Sequence, residues 1–306
     1  MTDSRKRIYI QEVAPRDGFQ NEKNFIETHE KIDFINRLSE SGFAKIEATS
    51  FTSPKAIPAL KDADMVMHEI KRNPGVVYTV LVPNARGAER ALSCNVDEVN
   101  LVMSVSETHN QANLRMTREQ SFTQLSNVID VVRDTDVAIN VSLSTAFGCP
   151  MEGDINTYEL FELIDRFVQL GAHGVTLCDT TGMAYPTQVA KIAKQSKDLF
   201  KQVELTMHFH NTRGMALANT TAAIHAGIDR FDASLGGLGG CPYAPGASGN
   251  VCTEELVHML ELMGYDTGVD LEKILSISGR LPQMIGHDVP SQILKAGPRT
   301  RLHPAP

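Results

Sequence analysis

The sequence predicts a (β/α)8 TIM barrel followed by a short C-terminal helical extension. Short apolar, β-branched segments alternate eight times with longer segments of helical periodicity, and such regular alternation indicates a parallel sheet. The eight units occupy about 250 residues, the usual length of a barrel of this type. A GxGxxG phosphate-binding fingerprint is missing after the first strand-like segment, which argues against an open doubly wound sheet.

Each strand is predicted from an apolar or β-branched run bounded by polar or glycine-containing turns. The predicted strands are residues 7–13, 45–51, 76–83, 98–106, 137–147, 174–182, 204–214 and 230–240.

A helical segment follows every predicted strand. Thr117 with Gln120 three residues later forms the pattern of a capping box, and Pro186 lies near the first turn of another helix. After Gly264 the segment "LEKILSISGRL" predicts one more short helix. We therefore expect a single catalytic domain over residues 1–306, with the barrel at about 7–264 and the extension at about 265–306.

Composition excludes several classes of function. The 306 residues are 42% hydrophobic and 22% charged, which is typical of a globular protein. The net charge of −8 and the lack of a long basic run exclude a nucleic-acid partner, and no apolar run is long enough for a membrane span. The five cysteines are odd in number and form no CxxC pair, and no signal peptide is evident, so we expect a cytoplasmic protein with free thiols.

The active sites of such barrels lie at the C-terminal ends of the strands and in the loops that follow. Ionisable or polar candidates occupy these places after strands one, two, six, seven and eight. They are Arg16, Asp17, Gln20, Glu47, Asp179, His208, His210, Cys241 and Asn250.

The segment "HFH" in strand seven predicts a metal site. His208 and His210 are two residues apart, so they share one face of the strand. Asp17 and Asn250 follow strands one and eight, which adjoin strand seven around a closed barrel. Two imidazoles, a carboxylate and an amide oxygen suit Mg²⁺ or Mn²⁺.

Four other candidates each have two interpretations. Arg16 is either half of a surface ion pair or a cation placed where negative charge develops. Glu47 and Asp179 either support the histidines or are ordinary loop acids. Cys241, in "GGLGGCPYAPGASGN", lies either in a flexible surface turn or in a reactive loop, and a second "GCP" surrounds Cys149.

Six segments together resemble one family. They are "EVAPRDGFQNEK", "IEATSFTSPK", "FGCPMEGD", "LCDTTG", "HFHNTRGMALAN" and "GGLGGCPYAPGASGNVCTEELVHML". They closely resemble motifs of the 3-hydroxy-3-methylglutaryl-CoA (HMG-CoA) lyases, and the similarity runs from about Ile8 to about Gly297. The resemblance implies a barrel enzyme that uses a divalent cation and cleaves an acyl-CoA substrate, HMG-CoA, to acetyl-CoA and acetoacetate.

The resemblance also implies a role for each matching residue. The metal ligands would be Asp17, His208, His210 and Asn250. Arg16 would neutralise the thioester enolate, Cys241 would be the catalytic thiol, and Glu47 and Asp179 would support the site. Gln20 and Lys23 would lie near the acyl-CoA. The general base is left open among Asp17, His208 and Cys241.

The chain departs from the usual family motifs at Ala14, Phe19, Cys178, Thr181, Asn211 and Thr108–His109. Of these, Phe19, Thr181 and the segment that contains Thr108–His109 could line an acyl pocket. The reaction class is therefore better defined than the acyl substituent. The alternatives are a lyase for another branched 3-hydroxyacyl-CoA, a condensing enzyme of the isopropylmalate, homocitrate or citramalate synthase type, and a non-enzymatic metal-dependent scaffold. We expect a homo-oligomer, either a dimer or a tetramer.

Overall fold

A computed structural model describes residues 5–240, 246 and 248–305. Within them, parallel strands form a closed barrel in which each strand pairs with its neighbours in chain order and the last pairs with the first. The strands are β1 (Tyr9–Glu12), β2 (Lys45–Ser50), β3 (Val77–Leu81), β4 (Glu98–Ser104), β5 (Ala138–Ser144), β6 (Gly174–Asp179), β7 (Glu204–Phe209) and β8 (Arg230–Ala233). This topology confirms the predicted TIM barrel.

Helices follow the strands and surround the barrel. They are α1 (Thr28–Ser39), α2 (Ala63–Glu69), α3 (Ala85–Ser93), α4 (Glu107–Leu114), α5 (Arg118–Val132), α6 (Thr157–Gln169), α7 (Pro186–Leu199), α8 (Ala216–His225), α9 (Thr253–Leu262), α10 (Leu271–Ser278), α11 (Leu281–Ile285) and α12 (Gln292–Ala296). Helix α5 begins with the predicted capping box of Thr117 and Gln120, and Pro186 is the first residue of α7. The helix predicted after Gly264 is α10, whereas α4, α11 and α12 were not predicted from the sequence. No helix in the described ranges is both long and apolar enough to cross a membrane.

The apolar core lies between the barrel and its helices. Side chains alternate along each strand, so that Val99, Leu101 and Met103 of β4 belong to this core, whereas Glu98 and Asn100 line a small cavity of about 10 Å³ inside the barrel. Burial of such outward-facing aliphatic side chains supplies most of the stability of a fold of this kind.

The interior of the barrel is polar. Lys45 Nζ lies 2.7 Å from both carboxylate oxygens of Glu98, and Asn140 Nδ2 donates to Asn100 Oδ1 and Thr176 Oγ1, each at 3.0 Å. An unpaired charge would be costly in this setting, so these groups are held in pairs. The resulting polar column ends at the C-terminal mouth of the barrel, where a cleft opens.

Candidate active site

The cleft has a volume of about 990 Å³ and lies at the C-terminal ends of the strands. Five of the residues predicted for the site line it together: Arg16, Asp17, Gln20, His208 and His210. The cleft is large enough for a cofactor-sized molecule.

Arg16 and Asp17 lie on a tight turn that follows β1. Residues Ala14–Gly18 form one π-helical turn with Pro15 near its start, a geometry that is frequent at functional sites. A side chain at Gly18 would place its Cβ 3.0 Å from Leu238 Cβ, so glycine allows the turn to pack closely against the segment after β8.

The predicted metal ligands converge. Donor atoms of Asp17, His208 and His210 all lie within 4.8 Å of one another, and the two histidine Nε2 atoms are 3.1 Å apart. Asn250 pairs with His210 in an isolated β-bridge, and its Nδ2 donates to Asp17 Oδ2 at 2.7 Å. Asn250 Oδ1 is buried without a hydrogen-bond partner among the described residues. An unused acceptor beside a carboxylate and two imidazoles fits a divalent cation.

The electrostatic environment favours the deprotonated form of two of these predicted ligands. Burial alone would raise the pKa of Asp17, but Arg16 and the neighbouring histidines lower it to about 2. Burial, together with the nearby His208, lowers the pKa of His210 to about 3. A carboxylate and a neutral imidazole are the forms that bind a metal ion.

Asp232, on β8, orients His208 and was not identified from the sequence. Its Oδ2 lies 3.0 Å from His208 Nδ1, and burial would lower the pKa of His208, but this bond and the charge of Asp232 raise it. Carboxylates that hold the second nitrogen of a metal-binding histidine fix the orientation of its ring. The available signal was a lone acid inside the eighth strand, at the position paired with His208.

Arg16 is buried and held by two acids. Its Nε donates to Glu47 Oε2 at 2.7 Å and its Nη1 to Asp17 Oδ1 at 2.7 Å, while Asn100 Nδ2 donates to Glu47 Oε1 at 2.9 Å. The surface-ion-pair interpretation is wrong, because Arg16 is only 8% exposed. Glu47 therefore supports the arginine rather than a histidine, and a bulge in β2 directly follows it.

The remaining candidates occupy different places. Gln20 Nε2 donates to Asp17 Oδ1 at 3.1 Å, whereas Lys23 is exposed and is not among the residues that line the cleft. Asp179 Oδ1 accepts hydrogen bonds from two backbone amides of the loop after β6, Met183 at 2.7 Å and Ala184 at 3.0 Å. Burial raises the pKa of Asp179 to about 7. Asp179 thus shapes a loop beside the cleft.

The two "GCP" cysteines are Cys149 and Cys241. Cys241 lies outside the described residues. Cys149 is buried, and its Sγ accepts a hydrogen bond from Ser106 Oγ at 3.1 Å. Cys149 is thus part of the packing of the loop after β5.

Two of the departures noted in the sequence line the cleft. His109, whose Nδ1 is 2.7 Å from Ser104 Oγ, and Cys178 are both part of its wall. Phe19 instead packs against Phe34 with ring centroids 5.1 Å apart, and Thr181 Oγ1 donates to Gly148 O at 3.4 Å. His109 and Cys178 are therefore the altered positions that line the cleft.

A closed (β/α)8 barrel with an Asp–His–His cluster at its C-terminal mouth defines a class of barrel proteins with a candidate divalent-cation site. Residues 7–280 match the HMGL-like family, and the chain belongs to this family.

Relatives with known names or structures match nearly the whole chain. A hydroxymethylglutaryl-CoA lyase from Bacillus subtilis is 44% identical over 95% of this chain and 97% of its own length. The (R)-citramalyl-CoA lyase of Chloroflexus aurantiacus is 37% identical over 95% of each chain. A solved structure of an HMG-CoA lyase from Acinetobacter baumannii, in complex with coenzyme A and 3-methylmalate, superimposes with a TM-score of 0.95 at 50% identity and covers 100% of both chains.

Proposed function

We propose that this protein is a divalent-metal-dependent carbon–carbon lyase that cleaves HMG-CoA to acetyl-CoA and acetoacetate. The observation that carries the proposal is the convergence of Asp17, His208 and His210 beside Arg16 in one cleft. The relatives named as HMG-CoA lyases support the choice of substrate.

Cleavage of this kind needs one proton removed and one supplied. The tertiary hydroxyl loses its proton, the bond between the carbon that bears it and the CH₂ next to the thioester breaks, and a ketone forms. The electron pair passes to the thioester enolate, which is then protonated on carbon to give acetyl-CoA. Asp17, His208 and Cys241 are the candidate bases, and we assign the acid–base thiol to Cys241.

Mg²⁺ or Mn²⁺ would be held by Asp17, His208, His210 and Asn250, and would supply Lewis-acid stabilisation of the substrate hydroxyl oxygen. The protein itself supplies a buried guanidinium, Arg16, for the oxygen on which the enolate charge grows. Burial would lower the pKa of Arg16, but Glu47 and Asp17 raise it above its ordinary value, so the cation persists throughout turnover.

The mouth of the cleft suits the phosphates of coenzyme A. Lys55 and Arg115 line it, and neither side chain makes an ion pair with an acid of the described segments. Unpaired cations at a cleft mouth attract phosphate groups. Gln20, through Asp17, and Lys23, near the entrance loop, remain proposed neighbours of the acyl-CoA.

A second candidate reaction is cleavage of citramalyl-CoA. The relative from Chloroflexus carries that name, and the cleft wall of this chain contains polar His109 and Cys178. This alternative keeps the same chemistry and changes only the acyl group.

We further propose that the protein is a cytoplasmic homo-oligomer. Support for a reducing compartment comes from Cys94, Cys149, Cys178 and Cys252, which are free and buried.

A chelation and substrate screen tests the proposal. Purified protein is stripped of metal, then assayed with HMG-CoA and with citramalyl-CoA, before and after addition of Mg²⁺ or Mn²⁺. Acetyl-CoA release that depends on added metal is the expected result. Full activity in demonstrably metal-free protein would contradict the metal site, and condensation of acetyl-CoA with 2-oxo acids without any cleavage would favour the synthase alternative.

A further inference from the structure

We infer that Ser144, at the end of β5, is a substrate-binding residue that donates a hydrogen bond to an oxygen of the bound acyl chain, and that Thr145 is the positioning residue that holds it. The inference rests on the proposed function, because it concerns the same cleft and the same acyl-CoA.

Ser144 lies in the layer of the barrel that contains His208. Leu143 pairs with Leu177 of β6, and Leu177 pairs with Met207 of β7, so the next positions, Ser144, Cys178 and His208, lie side by side on the inner face. Adjacent strands are about 4.8 Å apart. Ser144 is therefore roughly 10 Å along the cleft wall from His208, the proposed metal ligand.

The hydroxyl of Ser144 is available to a ligand. Asn140 and Ser142 precede it on the same face of β5, and both donate to Asn100 Oδ1 inside the barrel, at 3.0 and 2.8 Å. Ser144 lines the cleft and is 7% exposed, and its hydroxyl makes no hydrogen bond to another residue in the described ranges. A nearly buried hydroxyl in a cleft gains a partner when an oxygen-rich ligand binds.

The backbone directly after Ser144 has an unusual conformation. Thr145 has φ 56° and is fully buried. This left-handed region is unfavourable for a β-branched residue, and such outliers persist where surrounding contacts enforce them, often at ligand sites.

Hydrogen bonds of Thr145 enforce that conformation. Its Oγ1 donates to Ser144 O at 2.7 Å and accepts from Ser106 N at 3.2 Å, while its backbone N donates to Thr180 Oγ1 at 3.1 Å. Thr145 thus ties together the ends of β4, β5 and β6. Glycine would adopt the same φ without strain but would lack the two Oγ1 bonds, which explains why a threonine is suited to this position.

The test of Ser144 compares two serines that differ in location. Ser144→Ala is compared with Ser196→Ala, because Ser196 on α7 is also a buried serine whose hydroxyl has no partner among the described residues, yet it is not among the residues that line the cleft. With HMG-CoA and Mg²⁺, we expect Ser144→Ala to lower kcat/KM by about tenfold, chiefly through KM, as loss of one hydrogen bond does. Ser196→Ala should change it less than about twofold.

The test of Thr145 uses a matched pair of substitutions. Thr145→Val keeps the shape of the side chain and removes the hydroxyl, so we expect it to lower kcat/KM about as much as Ser144→Ala does. Thr145→Ser keeps the hydroxyl and should retain most of the wild-type kcat/KM. The double variant Ser144→Ala/Thr145→Val should be no worse than Ser144→Ala alone, because both changes remove the same interaction.

The outcomes separate this inference from the proposed function. If the wild type cleaves HMG-CoA and Ser144→Ala behaves like Ser196→Ala, the role of Ser144 is disproved and the proposed function stands. If the wild type does not cleave HMG-CoA, the proposed function fails, and calorimetric binding of HMG-CoA decides instead. Weaker binding by Ser144→Ala than by Ser196→Ala then supports the inference, and equal binding overturns it. An impaired Ser144→Ala beside a fully active Thr145→Val overturns the role of Thr145.

Discussion

Asp232 contacts Nδ1 of His208, whereas Nε2 is the nitrogen that faces the proposed metal site. Removal of the Asp232 carboxylate should therefore lower the affinity for the metal ion. We expect Asp232→Asn to bind Mn²⁺ about 10–100-fold more weakly, because carboxylates in this position orient the ligand and raise its basicity. Titration followed by the electron paramagnetic resonance signal of free Mn²⁺ measures the change directly. Asp198→Asn, at an exposed position of α7, is the control, and equal Kd values for the two variants would contradict this role.

Arg16 should act mainly in the transition state. Arg16→Met is expected to lower kcat by about a hundred- to a thousandfold with a much smaller rise in KM, as loss of a group that stabilises developing charge does. The substitution also leaves Glu47 and Asp17 without their cation, so Tm must be measured in parallel. Arg16→Lys, which keeps the charge but not both hydrogen bonds, should fold and recover part of the rate. A large KM effect with unchanged kcat would make Arg16 a binding residue only.

Cys241 is predicted to carry the acid–base thiol, although it lies outside the described residues. Cys241→Ala should retain metal and acyl-CoA binding but lose a hundredfold or more in kcat, which is typical of a deleted acid–base group. Cys149→Ala is the matched control, since Cys149 is buried against Ser106, and it should lose much less. A larger loss of kcat in Cys149→Ala than in Cys241→Ala would assign the acid–base thiol to Cys149 instead.

The sequence predicted the convergence of Asp17, His208 and His210 because the signal is local: two histidines at strand spacing, with an acid and an amide at the ends of neighbouring strands. Asp232 and Thr145 could not be found in this way. The role of Asp232 depends on the pairing of β7 with β8, and that of Thr145 on a backbone angle. Neither property is encoded in a residue type.

Among the secondary-structure elements, the strands were predicted in the right order but with overlong ends. Residues 204–214 and 230–240 were predicted as strands, whereas β7 is Glu204–Phe209 and β8 is Arg230–Ala233. The excess residues form the loops that hold the site. Helix α4 was missed because only two of its residues, His109 and Asn110, are buried, so it has no apolar stripe to detect.

Glu12 joins β1 to the segment after β8 and to α9, and it should make stability depend on pH. Its Oε1 accepts from the backbone of Ala14 and Leu235, and its Oε2 accepts from Thr253 Oγ1. Burial raises its pKa from 4.5 to about 8, against the lowering effect of these bonds. Between these values only the folded protein holds the proton, so the free energy of unfolding should fall as pH rises from about 5 to about 8.

Glu12→Gln tests this contribution, because an amide does not titrate and can occupy the same place. Its oxygen can accept from the backbone of Ala14 and Leu235, and its nitrogen can donate to Thr253 Oγ1. Urea unfolding at several pH values measures the free energy of unfolding. Between about pH 5 and pH 8 this free energy should fall less steeply in the variant than in the wild type, and the two slopes should differ by at most about 1.4 kcal/mol per pH unit. If the free energy of unfolding changed with pH in the same way in both proteins, Glu12 would not titrate in this range.

For the molecule as a whole, the distribution of charge predicts how substrate binding depends on ionic strength. The chain carries a net charge of −8, yet Lys55 and Arg115 line the cleft mouth. We expect KM for HMG-CoA to rise with ionic strength, and the double variant Lys55→Gln/Arg115→Gln to raise KM and weaken its salt dependence, because exposed charges act over a screened distance. Arg86→Gln, an exposed arginine outside the cleft, should leave both unchanged, and an unaltered KM in the double variant would place the phosphates elsewhere.

The polar interior of the barrel has a consequence for how such a protein can evolve. Along β4, β5 and β6 one set of alternate residues packs against the helices, and the other set forms the hydrogen-bonded column that leads to the cleft. Lineages can therefore exchange valine, isoleucine and leucine on the outer face while leaving catalysis intact. New substrates would arise through changes at every second position, such as Ser144 or Cys178, with little effect on the outer apolar packing.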